Sequence, residues 1–222
     1  MNPILRSVLA AEYDALVIGN GDAPPAALVR ELAGRAGRLI AVDGGSNALR
    51  RLGLPPHYVM GDLDSAEPAT LRWARSAGAE LRPLPDQADS DLPKALRECR
   101  RLGVRSVVAL GLVSERVDHT LVSLAGIARA NGLHVTLVSR HTVVLPLRGR
   151  AVAERALPVG TTFSWLPLDA CTGCSLEGAR WPFRNRSLAP AGFYSLSNVA
   201  VAPLVRLRQR SGLSLWCVNY TV

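Results

Sequence analysis

The chain has 222 residues, which allows one large α/β domain or a principal domain with a smaller companion, and two units are expected. No uninterrupted apolar stretch approaches the roughly 20 residues of a membrane helix. The opening segment MNPILRSVLAAEYDA is a poor secretory signal because Glu12 and Asp14 break its apolar patch, so a cytoplasmic protein with no membrane partner is the expectation. The net charge of +8 raises nucleic-acid binding, but the basic residues, all arginine except Lys94, are scattered through helix-like segments without interleaved aromatics, so no nucleic-acid partner is expected.

From residue 14 to about 140, short apolar runs alternate with helix-like segments, the pattern of a parallel sheet with crossover helices. The runs fall at 15–21, 38–45, 57–62, 106–111 and 133–139, with helices expected near 24–36, 46–52, 66–77, 91–102 and 118–130. Gly53, Gly78, Gly103 and Gly132 stand where these helices should stop, since an achiral residue tolerates the left-handed turn found there. After residue 140 the helical periodicity ends. HTVVLPL, TTFSWLPL, CSLEGARWPF, FYSLSNVAV, LVRLRQR and LSLWCVNY alternate and are separated by Gly, Pro and Ser turns, which predicts a small antiparallel sandwich or barrel. The fold class is therefore α/β, a parallel-sheet nucleotide-binding domain over residues 1–142, followed by an all-β domain over 143–222. Four cysteines make no disulfide scaffold. The single CxxC, Cys171 and Cys174, is expected as small residues at a strand edge rather than a zinc site.

Ligands of an open parallel sheet bind outside the carboxyl ends of its strands. Those ends here read GNGD (19–22), DGGSN (43–47), GDLDS (61–65) and GLVSERVDH (111–119), which brings Asp22, Asp43, Asp62, Asp64 and Asp118 to one rim. The segment PDQADSDLPKAL adds Asp86, Asp89 and Asp91 at a helix start, where Ser90 or Asp89 can cap and Pro93 fits the first turn. Capping explains one or two carboxylates, not the set. Converging carboxylates repel one another unless a cation sits among them, and Mg²⁺ binds through one or two carboxylates plus substrate phosphates. On a strand or its extension, Asp62 and Asp64 would project to the same side and reach one ion or two. Gly44 and Gly45 would admit a close backbone approach to a ligand. Lys94 and Arg116 offer charge for phosphate oxygens, and His119 is either a ligand contact or a cap. There is no GxxxxGK[ST] loop, so the P-loop class is disfavoured. The residues alone indicate a Mg²⁺-dependent enzyme or binder of a phosphorylated ligand, with a nucleotide as the expectation and the acceptor left open.

DGGSNAL, GDLDS, DQADSDLPKAL and RVDHTL, in this order and followed by a β tail carrying SLSN, resemble thiamine pyrophosphokinases. That resemblance implies transfer of pyrophosphate from ATP to the hydroxyl of thiamine, giving thiamine diphosphate and AMP, in a homodimer. It implies that Asp62, Asp64 and Asp91 hold Mg²⁺, and that Lys94 and Asp118 join them in catalysis. Asp43, Gly44, Gly45, Asn47, Lys94, Arg116, Asp118 and His119 would line the nucleotide region, and Gln87, Ser197 and Asn198 would contact thiamine. Two positions depart from the family pattern: Ser114-Glu115-Arg116 where Gly-Gly-Arg is usual, and Ser123 where asparagine is common. The other readings are pyrophosphoryl transfer to another hydroxyalkyl heterocycle such as a pterin, and a non-catalytic thiamine or nucleotide sensor. Trp181 is expected in the β-domain core, the other reading being a stack on the thiamine pyrimidine.

Overall fold

The computed structural model describes residues 2–84 and 91–221, and the chain divides into two compact units, Ala11–Arg140 and Met1–Ala10 with His141–Val222. The first unit alternates strands and helices: β1 (Tyr13–Ile18), α2 (Ala26–Ala33), β2 (Ala36–Val42), α3 (Gly45–Leu52), β3 (Tyr58–Gly61), α4 (Pro68–Ser76), β4 (Glu80–Pro83), α5 (Asp91–Arg101), β5 (Ser106–Leu110), α6 (Val117–Arg129) and β6 (His134–Val138), α1 (Pro3–Val8) belonging to the other unit. All strand pairs are parallel and the order is β6-β5-β1-β2-β3-β4. The order reverses between β1 and β5, which opens a crevice at their carboxyl ends. β1 is central and covered on both faces, and Ala15, Leu16 and Val17 have no solvent exposure, which is why it reads as a continuous apolar run.

Gly53, Gly78, Gly103 and Gly132 follow α3, α4, α5 and α6 with φ between 67° and 90°, the left-handed stops expected from the sequence. The amino end of the sheet is closed by Asp14, whose carboxylate accepts the backbone N–H groups of Arg105 (2.7 Å) and Ser106 (3.0 Å) and so clamps β1 to β5. Those donors hold the Asp14 carboxyl below its ordinary value. β4 was not expected: ELRP has no apolar run, because it is an edge strand with little burial.

The second unit is antiparallel: β7 (Thr142–Arg148), β8 (Ala151–Ala156), β9 (Thr162–Pro167), β10 (Cys171–Glu177), β11 (Phe183–Leu188), β12 (Ser195–Val199), β13 (Leu204–Gln209) and β14 (Leu213–Asn219). One layer runs β12-β9-β14-β7 and the other β11-β10-β13-β8. Trp165 of β9 stacks on Phe183 of β11 with ring centroids 5.7 Å apart, joining the layers into a sandwich rather than a barrel. The Trp165 indole N–H donates to Ser214 Oγ (2.8 Å), which keeps this buried ring satisfied. The first ten residues group with this unit and not with the α/β unit: α1 packs on β8, and Asn2 Nδ2 donates to the Thr221 carbonyl (2.6 Å).

Cys171 and Cys174 do not lie on an edge. Their strand, β10, runs between β11 and β13, both thiols are buried, and burial pushes each up to about 11. Thiols so protonated are inert small core groups.

Candidate active site

The loops after β1 and β5 are zipped together across the crevice. Gly19 N–H donates to the Leu110 carbonyl (2.9 Å), Gly21 N–H to the Gly111 carbonyl (2.7 Å), and Asp22 N–H to the Val113 carbonyl (2.6 Å). A Cβ on Gly19 would lie 2.7 Å from the Gly111 carbonyl oxygen, so only glycine permits this spacing. Gly44 behaves similarly: a Cβ there would meet the Asn20 side chain, and one on Gly45 the Ile18 carbonyl. The close approach that these two glycines allow is therefore to their own chain, seating the start of α3 against the end of β1.

Above these loops opens a cleft of about 710 Å³, whose wall includes Asp43, Asp62, Asp64, Asp91, Arg116 and His119. Carboxylate oxygens of Asp43, Asp62 and Asp64 all lie within 4.8 Å of one another. The two motif aspartates do not converge by strand alternation. β3 ends at Gly61, Leu63 takes φ +68°, and Asp64 N–H donates back to Asp62 Oδ1 (3.3 Å), so a tight turn aims both carboxylates inward. Asp43 is held at φ +48° just after β2, and its Oδ1 accepts Ser65 N–H (3.2 Å). Burial raises the Asp43 carboxyl above its ordinary value, and the charge of Asp62 adds to it. Asn47 braces the same turn: its Nδ2 donates to the Ser65 carbonyl (2.9 Å) and its Oδ1 accepts Glu67 N–H (3.0 Å). Three converging carboxylates, one of them buried, fit a hard divalent cation with oxygen ligands.

Asp91 opens α5 and lines the cleft, but it is not in the group of three. Its Oδ1 is buried without a hydrogen bond, and Lys94 Nζ stands 2.8 Å away. Lys94 is only 7% exposed, does not line the cleft, and donates to the Leu84 carbonyl (3.0 Å). Its position is that of a counter-charge behind Asp91. Arg116 grips both oxygens of Asp118 through Nε (3.2 Å) and one terminal nitrogen (2.5 Å), which holds the exposed Asp118 carboxyl below its ordinary value; Arg116 lines the cleft and Asp118 does not. Glu115 and Ser123, two of the departures, also line it, as do Gly19, Asn20 and Gly21. Of these, the sequence had offered GNGD only as a polar strand end.

Gln87, with Asp86, Asp89 and Ser90, lies outside the described residues. Ser197 and Asn198 are on β12 of the sandwich unit. The strand pairing with β9 shifts between Ser195 and Asn198, leaving Leu196 and Ser197 exposed, with Ser197 at φ +51° and its N–H donating to Ser164 Oγ (3.0 Å). Asn198 is 2% exposed and fully engaged: Nδ2 donates to the Trp181 carbonyl (3.0 Å) and Ser195 Oγ (3.1 Å), while Oδ1 accepts the N–H groups of Trp181 (3.2 Å) and Val199 (2.9 Å). Its job is to hold the Trp181 backbone. Trp181 is not in the core; its ring is 57% exposed, with the Arg180 guanidinium 5.7 Å from the centroid.

Residues 29–137 match the family model of the thiamin pyrophosphokinase catalytic domain, and residues 143–213 that of the thiamin pyrophosphokinase vitamin B1 binding domain. The fold is similar to that of solved enzymes. Thiamin pyrophosphokinase from Candida albicans superposes with a TM-score of 0.83 at 16% identity, covering 94% of this chain and 89% of that one. The yeast enzyme gives 0.79 at 16% identity, with 99% and 90% covered, and thiamine pyrophosphokinase from Bacillus subtilis 0.77 at 18% identity, with 94% and 100% covered. No curated protein sequence matches the chain.

Proposed function

The chain belongs to the thiamin pyrophosphokinase family, an enzyme transferring pyrophosphate from ATP to thiamine, and we propose how its own residues divide that work. The observation that carries the proposal is the convergence of Asp43, Asp62 and Asp64 at the carboxyl ends of β2 and β3. These three carboxylates are suited to hold Mg²⁺, Asp43 taking the place first expected for Asp91. Bound there, Mg²⁺ would neutralise phosphate charge and orient the β- and γ-phosphoryl groups.

The other residues position and exclude. Arg116, at the cleft wall, supplies a fixed positive charge for phosphate oxygens, and the zipped Gly19–Gly21 and Gly111 loops form the floor beneath the nucleotide. Transfer to the thiamine hydroxyl requires that its proton go to a base. Asp118 is the poorer base, because Arg116 occupies both its oxygens and lowers its pKa, so the role falls to Asp91, acting through the carboxylate oxygen other than the buried Oδ1 that Lys94 holds at 2.8 Å. Lys94 keeps Asp91 in place. In the sandwich unit the exposed Trp181 ring offers a flat face for an aromatic vitamin, with Asn198 fixing its backbone and Ser197 adding a hydroxyl.

A homodimer in the cytoplasm is the accompanying reading. Among the described residues no helix is long and apolar enough to cross a membrane. Matches to both thiamin pyrophosphokinase domain models do not favour another acceptor heterocycle. The test is incubation of purified protein with ATP, Mg²⁺ and thiamine, with and without chelator. Equal amounts of AMP and thiamine diphosphate, lost with chelator, are expected. AMP without thiamine diphosphate, or turnover that survives chelation, would refute the assignment.

A further inference from the structure

A second cleft lies within the α/β unit, between α5 and α6, and the catalytic reading makes no use of it. Its volume is about 390 Å³, inside the range of roughly 300–1,000 Å³ typical of small-molecule sites. Each helix contributes the same stripe, at spacing i, i+3, i+4, i+7: Pro93, Leu96, Arg97 and Arg100 from α5, and Val122, Ala125, Gly126 and Arg129 from α6. A Cβ on Gly126 would lie 3.0 Å from Pro93 Cγ, so the helices touch at that end. The cleft opens beside this contact, where small and aliphatic groups form its walls and Ala130, Asn131 and Leu133 complete the lining.

Both stripes finish in arginine, so Arg97, Arg100 and Arg129 border one cavity, and among the described residues no carboxylate lines it. Arg100 NH1 donates to the Asn131 carbonyl (3.3 Å), which fixes that guanidinium at the cleft. Three permanently charged forks beside an apolar trough recognise a ligand with two matching parts: an anionic head, best a phosphate, and a ring that fills the trough. We propose that the α5–α6 cleft is a second ligand site, for a small phosphorylated molecule carrying an apolar or aromatic ring. Nothing in this site uses the acidic rim, so it stands whether or not the catalytic assignment does.

The test is calorimetric titration of the full chain with 1-naphthyl phosphate in metal-free buffer, where the acidic cleft repels the probe. Saturable one-to-one binding is expected. The double variant Arg100→Gln/Arg129→Gln should bind at least about tenfold more weakly, and Ala125→Phe, which fills the trough, should abolish binding. Thermal unfolding establishes that each variant is folded; should Ala125→Phe unfold, Val122→Trp, at an exposed position of the same wall, replaces it. Absence of saturable binding to the unaltered chain would overturn the proposal, as would equal affinity in the variants. Loss in the arginine variant alone, with the trough-filling variant unaffected, would reduce the interaction to surface ion pairing and overturn it as well.

Discussion

Replacing Asp62 with asparagine should make the metal-free protein more stable while disabling the enzyme. In the metal-free fold, carboxylates of Asp43, Asp62 and Asp64 stand within 4.8 Å of one another. Two unit charges at that distance repel by about 3.5 kcal/mol at an effective dielectric of about 20, and by about 0.9 kcal/mol in bulk water. Asp62 and Asp64 are exposed, so the lower figure governs, and removing one charge should stabilise the fold by about 1 kcal/mol. Asparagine keeps the Oδ1 that accepts Asp64 N–H, so the turn survives. In a protein of this size that energy raises Tm by about 2–4 °C. With Mg²⁺ the order should invert: metal at about 100 times its Kd stabilises the unaltered protein by about 2.7 kcal/mol, and the variant should lose most of this together with about a hundredfold or more in turnover. Thermal scans with chelator and with Mg²⁺, run beside the AMP assay, measure both signs. A variant less stable than the parent in chelator, or one that keeps the full Mg²⁺ shift, would refute the reasoning.

Glu115 puts a negative charge on the cleft wall, so on the proposed nucleotide assignment Glu115→Gln should lower KM for ATP by about 3- to 10-fold with little change in kcat, as steady-state kinetics at fixed thiamine will show. Asp14→Ala leaves the N–H groups of Arg105 and Ser106 without their acceptor and should cost about 1–3 kcal/mol in denaturant unfolding. The folded Asp14 pKa lies below the ordinary 3.8, so this contribution is present above that value and fades as pH falls through the lower folded pKa; the gap between parent and variant should close only in strong acid. Asn198→Ala removes four hydrogen bonds, two of them to the Trp181 backbone, and should destabilise by about 2–4 kcal/mol, with an accompanying rise in KM for thiamine. An unchanged KM in a destabilised variant would confine Asn198 to the fold.

The sequence was most legible where chemistry and backbone geometry are local. The four glycines after α3 to α6 mark real left-handed stops, and every strand of the parallel sheet with an apolar core run was foreseen. β4, β8 and β11 were not foreseen: β4 and β8 are edge strands with little burial, and β11 exposes Arg184, Asn185, Arg186 and Ser187 in succession, so it leaves no alternation to read. At the rim, Asp43, Asp62 and Asp64 stood out because acids are costly together. Which partner each glycine approaches was not legible, since Gly44 meets Asn20 and Gly19 meets Gly111 only once strands are ordered. Trp181 misled for a related reason. An aromatic beside proline and phenylalanine resembles core, yet Asn198, seventeen residues on, holds its backbone so that the ring faces water.

Lys94 is the only ε-amine in the chain. Because it is nearly buried and paired with Asp91 at the start of α5, an amine-directed reagent can modify one side chain, and only when that turn opens. The rate of acylation thus becomes a direct clock for local opening beside the acidic cleft. Reductive methylation with ¹³C-formaldehyde would place a single side-chain resonance at the same spot. The arginine-rich composition thereby leaves the protein with one built-in spectroscopic label beside its acidic cleft.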